Sequence, residues 1–409
     1  MAHIVFIIIL AIVILDFVFE QTLSYLNTTR WSEKLSEALQ GIYNEEEYAK
    51  SQAYGKANRK FGMITSTVSF VLILAMLLFQ GFALVDHWAS LVSTQYIVTA
   101  LIFFAIIGLG FDLLTTPFSV YETFVIEQRF GFNTTTPRLF ITDKLKSWLL
   151  AAILGGGLLA LLMWIWKLTG GYFWLIAWGV VTLISLFLSM FYSSLIVPLF
   201  NKQRPLEEGE LKDAIVRFAG ETGFQLKNIF VIDSSKRSTK ANAYFTGFGP
   251  KKRIVLFDTL ITDLTTDEIV AVLAHEIGHY KKRHTLIGLF LGILQSGIML
   301  FIFSLLISSP WLSQALGVGQ VKFHIGLIAF GILYTPLSFL MGIGLNCISR
   351  KHEYQADAFA AQHHLAGALG SALKKLSVKS LSNLTPHPAY VLFYYSHPTL
   401  LQRLEKLHE

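Results

Sequence analysis

Seven long segments of the chain consist almost entirely of apolar residues, and shorter polar stretches separate them. A helix needs about 20 apolar residues to cross the hydrocarbon core of a bilayer. The pattern therefore predicts an all-α, multi-pass membrane protein with seven transmembrane helices. These segments lie near residues 4–19, 61–85, 97–120, 148–166, 172–200, 285–307 and 323–349. The first lacks a preceding basic stretch and a small-residue cleavage motif, which favours a retained anchor over a cleaved signal peptide.

Two polar regions are long enough to carry chemistry, residues 201–284 and residues 350–409. The first is predicted to contain an amphipathic helix, two strands of a small sheet and a turn between these strands. The helix lies near residues 208–219, the strands at 228–233 and 253–258, and the turn at 247–250. We therefore divide the chain into helices one to five (1–200), a polar region (201–284), helices six and seven (285–349) and a helical C-terminal region (350–409).

The composition agrees with a membrane location. Hydrophobic residues make up 53% of the chain and charged residues only 15%, compared with roughly 25% charged residues in an ordinary soluble domain. The single cysteine, Cys347, excludes a disulfide framework and any metal site with several cysteine ligands. The net charge of +6 does not indicate nucleic-acid binding, because no long basic run with interleaved aromatics is present. We therefore expect the lipid bilayer, and not nucleic acid, as a partner.

The basic residues predict the orientation of the chain in the membrane. Of the 33 Lys and Arg residues, 31 lie in residues 20–60, 119–146, 201–284 and after 349. The other connections hold only Lys167 and Lys322. Loops rich in Lys and Arg stay in the cytoplasm. The pattern therefore predicts an extracytoplasmic N-terminus and a cytoplasmic C-terminus, in a bacterial inner membrane or the ER membrane.

The strongest chemical signal is an H-E-x-x-H motif at residues 275–279, in a helix predicted to begin at Thr265 with the capping box Thr265-x-x-Glu268. His275 and His279 are four residues apart, so they lie on one helix face about 6 Å apart. Their imidazoles can therefore converge on one zinc ion. Glu276 borders the same face, where it is predicted to act as general base and then to protonate the leaving amine. A helix with two solvated histidines is the weaker alternative.

A catalytic zinc ion needs a third protein ligand and an open fourth position. Glu353, just past the seventh predicted span, is expected to complete a His₂Glu set. Asp357 lies one turn further on and can accept the outer N–H of a ligating histidine. His352 is a competing ligand, whereas His363 and His364 point about 100° apart on a helix and are expected at the surface.

Four motifs together resemble those of the type I CaaX prenyl proteases, which are integral-membrane zinc metalloproteases of the gluzincin type. They are H-E-x-x-H at 275–279, the segment from Ser349 to Asp357 around Glu353, Asn242-Ala243-Tyr244, and Tyr395-Ser396-His397-Pro398 followed by Arg403. The resemblance covers nearly the whole chain. The chain lacks the long extra loop and the dibasic ER-retention ending of familiar eukaryotic members, which favours a bacterial-type homologue.

The resemblance implies further roles for individual residues. Asn242, Ala243 and Tyr244 would lie on an edge strand that pairs with the substrate backbone. His397 would stabilise the oxyanion, with Arg403 supporting the site or the substrate. From the residues alone, a turn residue, a helix cap and a solvated helix face remain open for Asn242, His397 and Arg403. The family's fold implies a barrel of seven helices around a chamber, and one zinc ion per chain.

The expected function is that of a membrane-integrated zinc endopeptidase that acts on peptides or proteins. If the family's activity holds, it removes the three C-terminal residues from prenylated CaaX-type substrates. An alternative within the same chemistry is an HtpX-like protease that degrades misfolded or translocon-trapped membrane proteins, although such proteases have about four spans. A minor alternative is a zinc-regulated transporter, which only Asp16 and Asp112 inside apolar spans support.

Overall fold

The computed structural model describes residues 1–32, 35, 39–224, 228–246 and 253–408, so the predicted turn at 247–250 lies outside the described residues. The helices of the first 200 residues are α1 (Ala2–Thr28), α2 (Glu45–Leu78), α3 (Gly81–Val92), α4 (Tyr96–Tyr121), α5 (Gln128–Phe130), α6 (Pro137–Leu150), α7 (Gly157–Thr169), α8 (Phe173–Leu195) and α9 (Val197–Phe200). The later helices are α10 (Glu210–Glu221), α11 (Asp258–Asp263), α12 (Thr266–Lys281), α13 (His284–Leu306), α14 (Pro310–Ala315), α15 (Phe323–Gln362), α16 (Ala366–Lys379), α17 (Pro388–Tyr394) and α18 (Leu400–His408). The strands are β1 (Gln203–Pro205), β2 (Asn228–Ile232), β3 (Ala243–Thr246) and β4 (Arg253–Phe257).

Among the described residues, six helical runs are long and apolar enough to cross a membrane, and one of them contains two of the predicted spans. This run, Pro137–Phe200, has 64 residues, which correspond to roughly 96 Å of helix, about three times the thickness of a bilayer core. A 3₁₀ turn at Gly170–Tyr172 divides it between α7 and α8, and Gly170 has a φ of +51°. The chain therefore has the seven membrane-crossing helices that the apolar pattern predicts.

The predicted second span, residues 61–85, is wrong at its C-terminal end. Helix α2 ends at Leu78, and Gln80 has a left-handed backbone (φ 52°) before α3 begins at Gly81. A Cβ atom at Gly81 would lie 3.1 Å from the Cα atom of Met76. The chain therefore reverses tightly here. The residues on both sides of Gln80 are apolar, and one polar residue hardly lowers the mean hydropathy, so hydropathy alone merges α2 with the start of α3.

The polar region folds around a four-stranded sheet with strand order β1-β2-β4-β3. Strands β2 and β4 pair in parallel, whereas β1 and β3 are antiparallel to their neighbours. Both predicted strands and the predicted amphipathic helix, now α10, are confirmed to within two residues. Buried residues of α10, α12 and α16 pack with this sheet in one core. The sheet thus supports α12, which carries the H-E-x-x-H motif.

Helix α15 connects the membrane to the polar region. It is continuous over 40 residues, whereas the predicted seventh span covers only residues 323–349. Its apolar first half packs in the core of the membrane helices, and its second half packs against α12. One helix therefore carries both the last membrane span and the Glu353–Asp357 pair.

Candidate metal centre and active site

The start of α12 is fixed by the predicted capping box. The Thr265 hydroxyl accepts a hydrogen bond from the N–H of Glu268, and the Glu268 carboxylate accepts one from the N–H of Thr265. The same carboxylate also accepts hydrogen bonds from Ser371 and Lys375 of α16. Burial alone would raise the pKa of Glu268, but Lys375 and these hydrogen bonds lower it to about 2. The helix that carries the motif is thus anchored at its N-terminus by a charged glutamate.

Gly278, inside the H-E-x-x-H motif, allows α12 and α15 to approach closely. A Cβ atom at this position would lie 3.0 Å from the Cβ atom of Phe359 and 3.1 Å from the Cα atom of Ala356. Because the position has no side chain, the backbone of α15 packs directly on α12. This contact brings Glu353 and Asp357 to the motif. The sequence pattern alone indicates no role for Gly278.

Three donor side chains converge at this helix crossing. The Nε2 atoms of His275 and His279 lie 3.1 Å apart. Glu353 places its Oε2 atom 3.4 Å from Nε2 of His275 and its Oε1 atom 3.3 Å from Nε2 of His279. Zinc bonds of 2.0–2.2 Å in a tetrahedron require donor separations of roughly 3.3 Å. The three side chains therefore fit a tetrahedral metal ion.

The environment of Glu353 supports the same conclusion. The residue is only 4% exposed, and its Oε2 atom has no hydrogen-bond partner among the described residues. A buried carboxylate oxygen without a partner costs free energy, and a cation removes that cost. Of the described residues, His275, His279 and Glu353 are the group with metal-binding geometry. These observations indicate a site for a metal ion and not a cluster of polar side chains that binds no ion.

Asp357 and Arg403 lie behind the donor set. Asp357 Oδ1 is 2.8 Å from Nδ1 of His275. The Arg403 guanidinium donates hydrogen bonds to both carboxylate oxygens of Asp357, at 2.8 and 2.6 Å. Its NH1 atom lies 3.6 Å from Oε2 of Glu353. Arg403 therefore contacts both Asp357, the partner of His275, and Glu353 of the donor set, and its side chain is only 11% exposed.

Glu276 and His397 line the cavity in front of the donor set. Burial raises the pKa of Glu276 above its ordinary value. His397 follows α17, its side chain is 63% exposed, and its Nε2 atom lies 3.3 Å from Oε1 of Glu353. The hydroxyl of Ser396 lies 2.9 Å from its Nδ1 atom. Both residues can therefore reach a molecule in the cavity.

The cavity has a volume of about 520 Å³. Its lining includes the three converging donors, Glu276, His397 and the rings of His284 and His352. Helices α13 and α15 also contribute the apolar side chains of Leu291, Leu345 and Ile348, next to Thr285, Gly288 and Ser349. The cavity therefore combines the converging donor groups with apolar side chains from two membrane-spanning helices.

Strand β3 is the outermost strand of the sheet beyond β4. It begins at Ala243, includes Tyr244 and directly follows Asn242. The side-chain oxygen of Asn242 accepts a hydrogen bond from the N–H of Ala243, and its carbonyl accepts one from Phe257. The three residues thus lie at a sheet edge that contacts α12.

The other histidines near the motif occupy different positions. His352 lines the cavity, and its ring stacks on that of His284 with centroids 3.9 Å apart. His284 contacts His279, with their Nδ1 atoms 3.1 Å apart. The sequence predicts no role for His284, and its position five residues after the motif is the only signal that could have indicated one. The His363 side chain bonds to the carbonyl of Phe359. His364 is exposed, as predicted, whereas the predicted surface position of His363 is wrong: it is half-buried, because its ring packs between Phe218 and Phe359.

Comparisons with known proteins agree along the whole chain. Residues 24–202 match the family described as CAAX prenyl protease N-terminal, five membrane helices, and residues 205–409 match peptidase family M48. The CAAX prenyl protease 1 homolog of Arabidopsis thaliana is 37% identical, with 91% of this chain and 90% of that protein aligned. CAAX prenyl protease 1 of Saccharomyces cerevisiae is 36% identical, over 96% of this chain and 93% of that protein.

A solved structure confirms the predicted architecture. The crystal structure of S. mikatae Ste24p superposes with a TM-score of 0.92 at 37% identity, and the match covers 98% of both chains. The expected barrel of seven helices around a chamber, with a protease region that contains a small sheet, is therefore confirmed. Since both family matches and these relatives agree, the chain belongs to the CAAX prenyl protease family within peptidase family M48, and it is a multi-pass membrane metalloendopeptidase.

Proposed function

We propose that this protein is a zinc endopeptidase that removes the three C-terminal residues from prenylated CaaX-type proteins or peptides. The observation that carries the proposal is the convergence of His275, His279 and Glu353 in one cavity with Glu276. Relatives named CAAX prenyl protease 1 supply the substrate class. The apolar side chains that line the cavity suit a substrate that carries a long hydrocarbon group next to its cleavage site.

In this proposal His275, His279 and Glu353 hold one zinc ion per chain. Zinc, when bound, polarises a carbonyl group and lowers the pKa of water towards ~7. Glu276 takes a proton from the attacking water and delivers it to the leaving amine, because its carboxylate lies in the same cavity. The expected gain from such a positioned base is roughly 10²–10⁴-fold in rate.

We assign the remaining residues by their contacts. His397 reaches the cavity and donates a hydrogen bond to the oxyanion of the substrate. Asp357 accepts the Nδ1–H of His275, which directs the Nε2 lone pair of that histidine towards the metal. Arg403 acts as a positioning residue through Asp357. The edge strand formed by Asn242, Ala243 and Tyr244 binds the substrate backbone as an added strand.

The proposed location follows from the basic loops. The concentration of Lys and Arg in residues 20–60, 119–146, 201–284 and after 349 supports a cytoplasmic active site and an extracytoplasmic N-terminus. The membrane would be a bacterial inner membrane or the ER membrane.

The transporter alternative loses one of its two supports. The Asp112 carboxylate lies 2.8 Å from Nζ of Lys144 and accepts a 2.9 Å hydrogen bond from the indole N–H of Trp148. A charge inside a membrane span is tolerated when it is paired in this way. Asp112 therefore has a structural partner between α4 and α6, and only Asp16 still favours ion transport.

A farnesylated peptide with a C-terminal CaaX sequence should be cleaved at least about tenfold faster than the same peptide without the farnesyl group. A tenfold preference needs only ~1.4 kcal/mol of extra transition-state stabilisation, and each buried CH₂ group contributes ~0.8 kcal/mol. Mass spectrometry of the products should show one cut, after the modified cysteine, and release of an intact tripeptide.

The same assay separates this function from quality control. An unfolded, unprenylated membrane-protein fragment serves as the competing substrate, and the Glu276→Gln variant shows whether a contaminating protease contributes. Equal cleavage of the fragment at many sites, with no preference for the farnesylated peptide, would favour the HtpX-like alternative.

Arg403→Ala should lower the free energy of unfolding by about 3–5 kcal/mol, because it leaves the buried carboxylate of Asp357 without its counter-charge. The Asp357 side chain is only 2% exposed, so most of its compensation comes from protein groups and not from water. Thermal unfolding of the protein in detergent measures the change. Lys212→Ala, which removes an exposed ion pair with Glu208, is the control and should cost at most about 1 kcal/mol. Equal unfolding temperatures for the two variants would contradict the positioning role of Arg403.

A further inference from the structure

The two histidines of the donor set have different partners behind their rings. Nδ1 of His275 faces a carboxylate, Asp357, which can only accept a hydrogen bond. Nδ1 of His279 lies 3.1 Å from Nδ1 of His284, which is buried. A histidine nitrogen can donate or accept, depending on its tautomer. Which ring nitrogen of His279 carries the proton therefore depends on the hydrogen-bond partner of the other nitrogen of His284.

His284 has its own hydrogen-bond partner on α15. Its Nε2 atom lies 2.8 Å from the side-chain oxygen of Gln355. An amide oxygen only accepts, so Nε2 of His284 carries the proton, and the Nδ1 atom of the neutral ring is an acceptor. His279 then donates its Nδ1–H to His284, and the lone pair of His279 is on Nε2. That atom is the one that faces Nε2 of His275 and the Glu353 carboxylate.

The reverse arrangement would weaken metal binding. If the amide NH₂ of Gln355 faced His284, the protons on His284 and His279 would each move to the other ring nitrogen. His279 would then carry its proton on Nε2, which points into the donor set, and this proton would have to be released before the nitrogen could bind a metal ion. The orientation of the Gln355 amide group thus affects how readily His279 acts as a ligand.

The fold of the backbone holds Gln355, His284 and His279 in this hydrogen-bonded series. Arg283 has a left-handed conformation (φ 60°), which turns the chain between α12 and α13 and makes His284 the first residue of α13. The ring of His352 stacks on the ring of His284 at an interplanar angle of 8°. Gln355 lies on α15 between Glu353 and Asp357. The same close approach of helices that assembles the donor set therefore also assembles the series.

We propose that His284 and Gln355 are positioning residues that hold His279 in its Nδ1–H tautomer, so that Nε2 is free to bind the metal. The inference rests on the proposed zinc site and extends it. His275 has an anionic partner and His279 a neutral one, so the two ligands are oriented by different chemistry around one ion.

The tautomer can be read directly in the wild-type protein. Nitrogen-15 NMR of histidine-labelled, zinc-loaded protein in detergent should show His284 with its proton on Nε2 and not on Nδ1, since the two ring nitrogens have distinct shifts when only one is protonated. A His284→Gln spectrum assigns the signal. A wild-type His284 signal with the proton on Nδ1 would overturn the inference without any change to the protein's fold.

Substitutions distinguish hydrogen bonding from packing. His284→Phe keeps the ring but removes the acceptor, and Gln355→Met keeps the chain length but removes the second acceptor. Both should weaken zinc binding about 10–100-fold in competition with a chelator, the range for partners that orient a metal ligand. His284→Gln supplies an amide oxygen and should recover affinity relative to His284→Phe. A packing role predicts the opposite order for these two substitutions of His284.

His363→Phe, directly after the end of α15 and outside the donor set, is the control and should bind zinc as the wild type does. Thermal unfolding of each variant shows whether it folds, and Gln355→Met together with the wild-type spectrum tests the inference if His284→Phe does not fold. Wild-type zinc affinity in both His284→Phe and Gln355→Met would overturn the inference while leaving the proposed zinc site intact. Failure of the wild type itself to bind zinc would instead remove the proposed function.

Discussion

Replacing Glu276 by glutamine should leave zinc bound and reduce kcat by roughly 10²–10⁴-fold, the contribution expected from a positioned general base. Glutamine has nearly the same shape and occupies the same place in the cavity, but it cannot accept the proton of the attacking water. Glu276 is not one of the three converging donors. Mass spectrometry should therefore show full metal content in this variant, whereas turnover of a farnesylated peptide should be almost lost.

The matched control is Glu208→Gln, since Glu208 is an exposed glutamate that pairs with Lys212 on the surface of the polar region. It should retain wild-type turnover and wild-type metal content. If Glu276→Gln keeps half of the activity, Glu276 has no part in proton transfer. If it loses both metal and activity, its carboxylate is needed to build the site.

Glu353→Ala should have the second large effect, and it should act on metal content. The substitution removes the only carboxylate from a set of three donors that lie 3.1–3.4 Å apart. Losing a ligand should weaken zinc binding by more than about 100-fold, the upper end of the range for residues that only orient a ligand. Dialysis against a weak chelator, followed by measurement of zinc per chain, should show near-complete loss where the wild type keeps one ion.

Full zinc content in the Glu353→Ala protein would identify another third ligand, and His352 is the first candidate because it lines the same cavity. Glu353→Gln refines the test, since the amide oxygen keeps the shape of the side chain without its charge. Intermediate affinity in this variant would show that both the oxygen atom and its negative charge contribute to binding.

Features that depend on local sequence were predictable. The start of α12 follows from Thr265 and Glu268, whose side chains and backbone groups satisfy each other within one turn. The placement of His275 and His279 on one face follows from helix geometry alone. The strands β2 and β4 were found because their apolar runs are short and bounded by polar residues.

Features that depend on a partner far along the chain were not predictable. The role of Gly278 becomes visible only once Ala356 packs on it, 78 residues later. His284 is one of 12 histidines in the sequence, and only the fold brings Gln355 to it. The break at Gln80 interrupts a run that is apolar on both sides, so no change in hydropathy marks it. Glu353 was predicted from its motif, whereas spacing alone could not pair it with a helix some 75 residues earlier.

The continuity of α15 links the chemistry of this enzyme to the lipid around it. Glu353 lies 30 residues after Phe323 on one unbroken helix, a distance of roughly 45 Å. A helix whose apolar part does not match the bilayer thickness responds by tilting. If α15 tilted relative to α12 by only about 5°, measured about Phe323, the carboxylate would be displaced by ~4 Å, more than the spacing between donors. The thickness of the host bilayer is therefore expected to influence the distance between the Glu353 carboxylate and the two histidines, and with it the rate of hydrolysis.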